Sequence, residues 1–232
     1  MKLPFLISVP HAGRNIPSEV KDICILTKDQ IYADSDVGAA EIYYALEKSV
    51  EAFITSDIAR AIVDLNRAPD DFRKDGIIKT HTCYDVPVYR DFPSRKLIEK
   101  LLTNYYHPYH QKLKKLVEKE TIMVGIDCHT MAATGPPVGP DTGKSRPLVC
   151  LSNAEVTCPD EWLLSLADCF QKIYPREQIT INKPFKGGYI IRSHSAKRPW
   201  LQIEISRTHS IPNEDKKDGV IEALNAWGKM IF

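Results

Sequence analysis

Ile122-Met123-Val124-Gly125-Ile126-Asp127-Cys128-His129-Thr130 passes from an apolar, partly β-branched run straight into an aspartate and a histidine. Residues 122–126 read as a buried strand, which puts Asp127 and His129 at its carboxyl end. Val9-Pro10-His11-Ala12-Gly13 repeats the pattern near the amino terminus, where a second strand-like run over 5–9 stops just short of His11. In an α/β protein the carboxyl ends of neighbouring strands open on one crevice, so two imidazoles far apart in sequence can meet on one metal ion. The pattern points to a metallohydrolase.

Further strand-like runs lie at 52–56, 61–65, 148–151, 189–191 and 201–205, and helical spacing covers 36–50, 94–118, 160–174 and 214–230. This alternation predicts an α/β fold in a single domain over residues 1–232, with a central mixed, mostly parallel sheet flanked by helices. The runs at 52–56 and 61–65 are too close for a crossover, so they are expected to pair antiparallel. Two loops, 70–93 and 132–147, are long enough to expect a functional role.

The charge balance is nearly even, 31 Lys and Arg against 30 Asp and Glu, and it leaves no basic footprint for a nucleic acid or an anionic membrane. No run approaches the ~20 apolar residues of a membrane span, and no signal-length segment opens the chain, so a cytoplasmic location is expected. Six cysteines without a C-x-x-C pair read as reduced and structural, with Cys128 notable for lying between Asp127 and His129.

A catalytic zinc takes three protein ligands and leaves a position open, and two histidines with a carboxylate suit it. His11 and His129 supply the imidazoles. Asp34 and Asp36 are the candidate carboxylates; Asp36 is favoured because it opens a helical pattern, although capping that helix is the plainer role for both. Asp127 could orient the site from behind, or equally point away on the opposite strand face. Arg60-Ala-Ile-Val-Asp64-Leu-Asn66-Arg67 groups two arginines and an asparagine, suited to a small anionic substrate, although D-L-N-R alone fits a strand end with surface charges equally well. Lys186-Gly187-Gly188-Tyr189-Ile190-Ile191-Arg192 sets two glycines, which permit close backbone approach, near another arginine. Glu204 interrupts the apolar run 201–205, where a carboxylate is costly unless it is paired or functional; a general base and a buried ion pair fit about equally well. His107 and His110 are assigned to helix packing rather than to ligation.

Taken in order, P-H-A-G, S-D, R-x-x-x-D-L-N-R, Y-H, D-C-H-T-M, G-G-Y-I and Q-I-E-I form a set that resembles the N-formylglutamate amidohydrolase family from His11 to about Arg207. The resemblance implies the zinc-carboxypeptidase-like phosphorylase/hydrolase fold. It implies one zinc ion held by His11, Asp36 and His129, with Glu204 as general base. Arg60 would face the developing oxyanion, and Asn66, Arg67 and Arg192 would bind the carboxylates of a small anionic N-acyl amino acid. The expected reaction is hydrolysis of N-formyl-L-glutamate by a monomer or small homo-oligomer. Other N-acyl amino acid amidohydrolases, a carboxypeptidase-like enzyme and a catalytically idle binding protein of the same fold are the alternatives.

Overall fold

β3 (Val124–Met131) is buried at every residue, which is why its sequence lacks the alternation of a half-exposed strand. In the computed structural model, which describes residues 2–232, it is a central strand of a six-stranded sheet ordered β2-β1-β3-β6-β4-β5. The others are β1 (Leu3–Val9), β2 (Val50–Thr55), β4 (Val149–Ser152), β5 (Ile179–Ile181) and β6 (Trp200–Ser206). β2, β1, β3 and β6 are mutually parallel, β4 runs antiparallel to β6, and β5 is parallel to β4. The carboxyl ends of β1, β3 and β6 therefore open side by side.

Among the described residues the seven α-helices are α1 (Lys28–Asp34), α2 (Ala39–Tyr43), α3 (Arg95–Leu101), α4 (His107–Leu116), α5 (Asp160–Ile173), α6 (Tyr189–His194) and α7 (Asn213–Ile231). One sheet face carries Ile126, Cys128, Ile203 and Ile205 into a core closed by Ile42 of α2, Phe170 of α5 and Trp227 of α7. The other packs Leu6 and Trp200 against Leu113 of α4 and Ile190 of α6. Gly125 serves this second layer directly, since a Cβ there would meet the Trp200 ring at 2.1 Å. Side chains alternate along a strand, so Asp127, His129, Gln202 and Glu204 share one face, which turns polar toward the carboxyl ends.

Several expected elements differ. Residues 61–65 form turns rather than a strand: Ala61, Ile62, Val63 and Leu65 are buried, but the segment hangs from Ile77 through Asp64 N–H at 2.9 Å. The expected antiparallel pair at 52–56 and 61–65 is therefore absent, and β4 supplies the antiparallel element instead. The run 189–191 belongs to α6, because a three-residue apolar run fits a helix as well as a strand. The helical pattern 36–50 becomes α2 and a 3₁₀ turn over Tyr44–Lys48, with Gly38 rather than an aspartate at the N-cap. The pattern 94–118 is interrupted by a π-turn at Leu102–Tyr106, just before Pro108, whose missing N–H breaks the helical ladder. Unexpected from the sequence are β5, short and half-buried, and α1, although Thr27 and Gln30 form a capping box at its start.

Candidate active site

His11 follows β1 by two residues, while His129 lies within β3, a little before its end rather than beyond it. Asp36 sits between α1 and α2, where its N–H is bonded to the His11 carbonyl at 3.0 Å. These three side chains are buried and present one ligand atom each, all within 4.8 Å of one another. Neither aspartate of the candidate pair caps α2. Asp34 instead meets the buried Lys79 at 2.9 Å, so Asp36 is the carboxylate that joins the histidines.

The tautomers of both histidines follow from what lies behind them. His11 Nε2 donates to Asp64 Oδ1 at 2.9 Å, and His129 Nε2 donates to Asp127 Oδ2 at 2.8 Å. Carboxylates placed this way fix an imidazole's orientation and leave the other ring nitrogen available as a ligand. His129 Nδ1 faces Asp36 Oδ2 at 2.9 Å. His11 Nδ1 lies 3.7 Å from the same oxygen and has no hydrogen-bond partner among the described residues. An orphaned buried nitrogen, a second imidazole and a carboxylate with matching lone pairs fit a divalent cation of the zinc type. Burial raises the Asp36 carboxyl, but the two imidazoles facing it outweigh that and hold it well below the usual carboxylate range. Burial also disfavours the charged His129 ring, yet Asp127 and Asp36 hold its pKa well above the usual value. A metal ion would take the place of the proton those carboxylates attract.

Asp127 carries further weight, accepting from Ser8 Oγ at 2.7 Å and from Asn66 Nδ2 at 3.0 Å as well as from His129. Asp127→Asn is expected to weaken the affinity of the His11-Asp36-His129 group for added divalent metal roughly 10- to 100-fold. Titration against a competing chelator at fixed pH checks this, and an unchanged affinity would show that Asp127 does not orient His129.

Glu204 is paired in register with His129 across β3 and β6, and its Oε1 accepts from Gln202 Nε2 at 2.9 Å. It is nearly buried, and that burial pushes its carboxyl up; the His129 charge opposes the shift and that of Asp36 adds to it. Two adjoining spaces share Glu204, Arg60, Arg67 and Phe185 as walls. One is an inner pocket of about 120 Å³ that also touches His11 and His129, and the other is a chamber of about 100 Å³ extending toward the 132–147 loop. Arg60 is fixed by Asp64 at 3.0 Å and Asp36 at 3.3 Å. Arg67 donates to Asp75 at 2.9 Å.

Asn66 lines the inner pocket, but its amide oxygen accepts from Ile190 N–H at 2.7 Å and its nitrogen serves Asp127. Gly188 permits this approach, since a Cβ there would meet Asn66 Nδ2 at 2.2 Å. Arg192 is not brought in: on α6 it is exposed, donates to the Gly187 carbonyl at 3.4 Å, and lines neither space. Cys128 points into the opposite core, away from His129. His110 Nε2 donates to the Leu65 carbonyl at 3.0 Å, bracing the segment before Asn66. Asp64 and Arg207 are components that sequence reasoning did not single out. Asp64 stood within the D-L-N-R motif, and a search for a carboxylate partner to His11 could have found it.

The N-formylglutamate amidohydrolase family matches residues 3–210, which takes in all of these side chains. The chain belongs to this family. Two N-formylglutamate deformylases, from Pseudomonas aeruginosa and Pseudomonas putida, are each 24% identical to it over 98% of the chain and cover 95% and 94% of their own lengths. The crystal structure of N-formylglutamate amidohydrolase from Ralstonia eutropha superposes with a TM-score of 0.81 at 18% identity, over 98% of this chain and 94% of that one. A gene product of Agrobacterium tumefaciens superposes at 0.76 with 17% identity, over the whole chain and 91% of its own length. The N-formylglutamate amidohydrolase fold is thus shared across almost the full length. No helix among the described residues is long and apolar enough to cross a membrane.

Proposed function

We propose that this chain hydrolyses the amide bond of an N-acyl amino acid, N-formyl-L-glutamate foremost, releasing formate and L-glutamate with one zinc ion held by His11, Asp36 and His129. The observation that carries this reading is the convergence of those three ligand atoms beside the buried Glu204, in a member of the N-formylglutamate amidohydrolase family. Zinc in a site of two imidazoles and one carboxylate supplies Lewis acidity toward a carbonyl and makes water a stronger acid.

The protein's own groups then divide the work. Glu204, a stronger base than an exposed glutamate because burial disfavours its charge, takes a proton from the attacking water and returns it to the departing nitrogen. Arg60, immobilised by two aspartates, faces the oxygen on which negative charge develops. Arg67 holds the α-carboxylate on the wall of the inner pocket that it shares with Asn66, whose amide nitrogen already meets Asp127 and the His129 ring. Cys83 also lines the chamber, but burial and the neighbouring Asp34 push its thiol up to about 11, so it is protonated at neutral pH and does not compete as a nucleophile.

The test is release of formate and free glutamate from N-formyl-L-glutamate by the purified protein, with N-acetyl-L-glutamate alongside. Turnover of the formyl compound is expected. Turnover confined to the acetyl compound would move the reading to another N-acyl amino acid amidohydrolase, and turnover of neither would leave the binding-protein alternative.

A further inference from the structure

Five cationic side chains line the chamber, and four of them are matched to a carboxylate. Arg146 is paired with Asp141 through contacts of 2.6 and 2.7 Å and Lys79 with Asp34 at 2.9 Å, while Arg67 meets Asp75 through Nη2 at 2.9 Å and keeps Nη1 for the α-carboxylate. Arg60 lies between Asp64 and Asp36. Arg207, one residue past β6, is different.

Its guanidinium is held almost wholly by neutral groups. Nη2 donates to the Ser35 carbonyl at 2.6 Å, Nη1 to the Ala33 carbonyl at 3.2 Å and Nε to Thr130 Oγ1 at 3.3 Å. The Thr130 carbonyl adds a contact at 3.4 Å. Its one carboxylate neighbour, Asp36, stands 3.7 Å away and is already shared by Arg60 and two imidazoles. These contacts fix the side chain without cancelling its charge, and they leave one Nη1 hydrogen without a partner among the described residues. The Arg207 side chain is 18% exposed and lines both the chamber and an adjoining open outer groove of about 1130 Å³. A rigid cation on a cavity wall, whose one near carboxylate among the described residues is shared with three other groups, is preorganised for an incoming anion.

We propose that Arg207 receives the second carboxylate of the substrate, and so makes the site selective for dicarboxylic over neutral N-acyl amino acids. This rests on the amide-hydrolase reading above, and it assigns to Arg207 the contact that Arg192, turned outward on α6, does not reach.

The experiment compares kcat/KM for N-formyl-L-glutamate and its neutral isostere N-formyl-L-glutamine in the unsubstituted protein, Arg207→Gln and Arg207→Lys. The unsubstituted protein is expected to prefer the glutamate compound. In Arg207→Gln that preference falls roughly 10- to 100-fold, mostly through KM, while the glutamine compound changes little; Arg207→Lys restores part of it. Parallel losses on both substrates would overturn the proposal and leave Arg207 as a strut on Ser35 and Thr130. Should the unsubstituted protein hydrolyse neither compound, the amide-hydrolase reading has failed, and calorimetric binding of L-glutamate against L-glutamine decides the Arg207 assignment separately. Discrimination lost in Arg207→Gln then supports it, and discrimination unchanged or absent from the start overturns it.

Discussion

Glu204→Gln is expected to lower kcat for formate release by roughly 10²- to 10⁴-fold while zinc content stays at that of the unsubstituted protein. The substitution preserves shape and removes only the ability to accept and return a proton. Gln202 Nε2, which donates to Glu204 Oε1 at 2.9 Å, can donate equally well to the new amide oxygen. The surrounding strand is apolar on its other face, with Ile203 and Ile205 in the core, so the fold does not depend on the charge. Glu204 is also outside the cluster of ligand atoms formed by His11, Asp36 and His129, which is why metal should be retained. A loss below tenfold would place the base elsewhere, and loss of zinc would make Glu204 a ligand. Metal analysis and steady-state kinetics on one preparation separate these outcomes.

His129→Ala should abolish both zinc binding and turnover. This imidazole joins two carboxylates, Asp36 through Nδ1 and Asp127 through Nε2, so its removal subtracts a ligand and also the link between β3 and the α1–α2 connection. Breaking buried charged contacts of this kind commonly costs about 3–5 kcal/mol, and a lower melting temperature is expected as well. His129→Gln keeps more of the volume and should melt closer to the unsubstituted protein while still failing to retain zinc. Stoichiometric zinc in both variants would remove His129 from the ligand set.

The strands that position the site were legible because each is buried and its polar interruptions stand out. β1, β3 and β6 announce themselves as apolar runs, and His11, Asp127, His129 and Glu204 are the residues that break the pattern at their carboxyl ends. The loop chemistry was less legible for a physical reason. Residues 61–65 are as apolar as a strand because they plug the second core, yet they carry no ladder partner, and although Asp64 stands four residues from Arg60, nothing local announces that it reaches His11. Arg192 looked like an extension of a strand toward the substrate, and the turn to α6 points it to solvent instead. Arg207 lies at the edge of the last motif, and its importance comes from contacts with Ala33, Ser35 and Thr130, which only the fold brings together. The choice between Asp34 and Asp36 also needed the structure, because both precede α2 and only the fold turns Asp36 to the two imidazoles and Asp34 to Lys79.

Zinc content and the rate of formate release of the purified protein, measured before chelation, after chelation and after zinc is returned, decide whether His11, Asp36 and His129 hold a catalytic metal. One zinc per chain, activity lost with the metal and regained with it, is the predicted result. Undiminished formate release from protein stripped of metal would show that the reaction needs no ion at His11, Asp36 and His129.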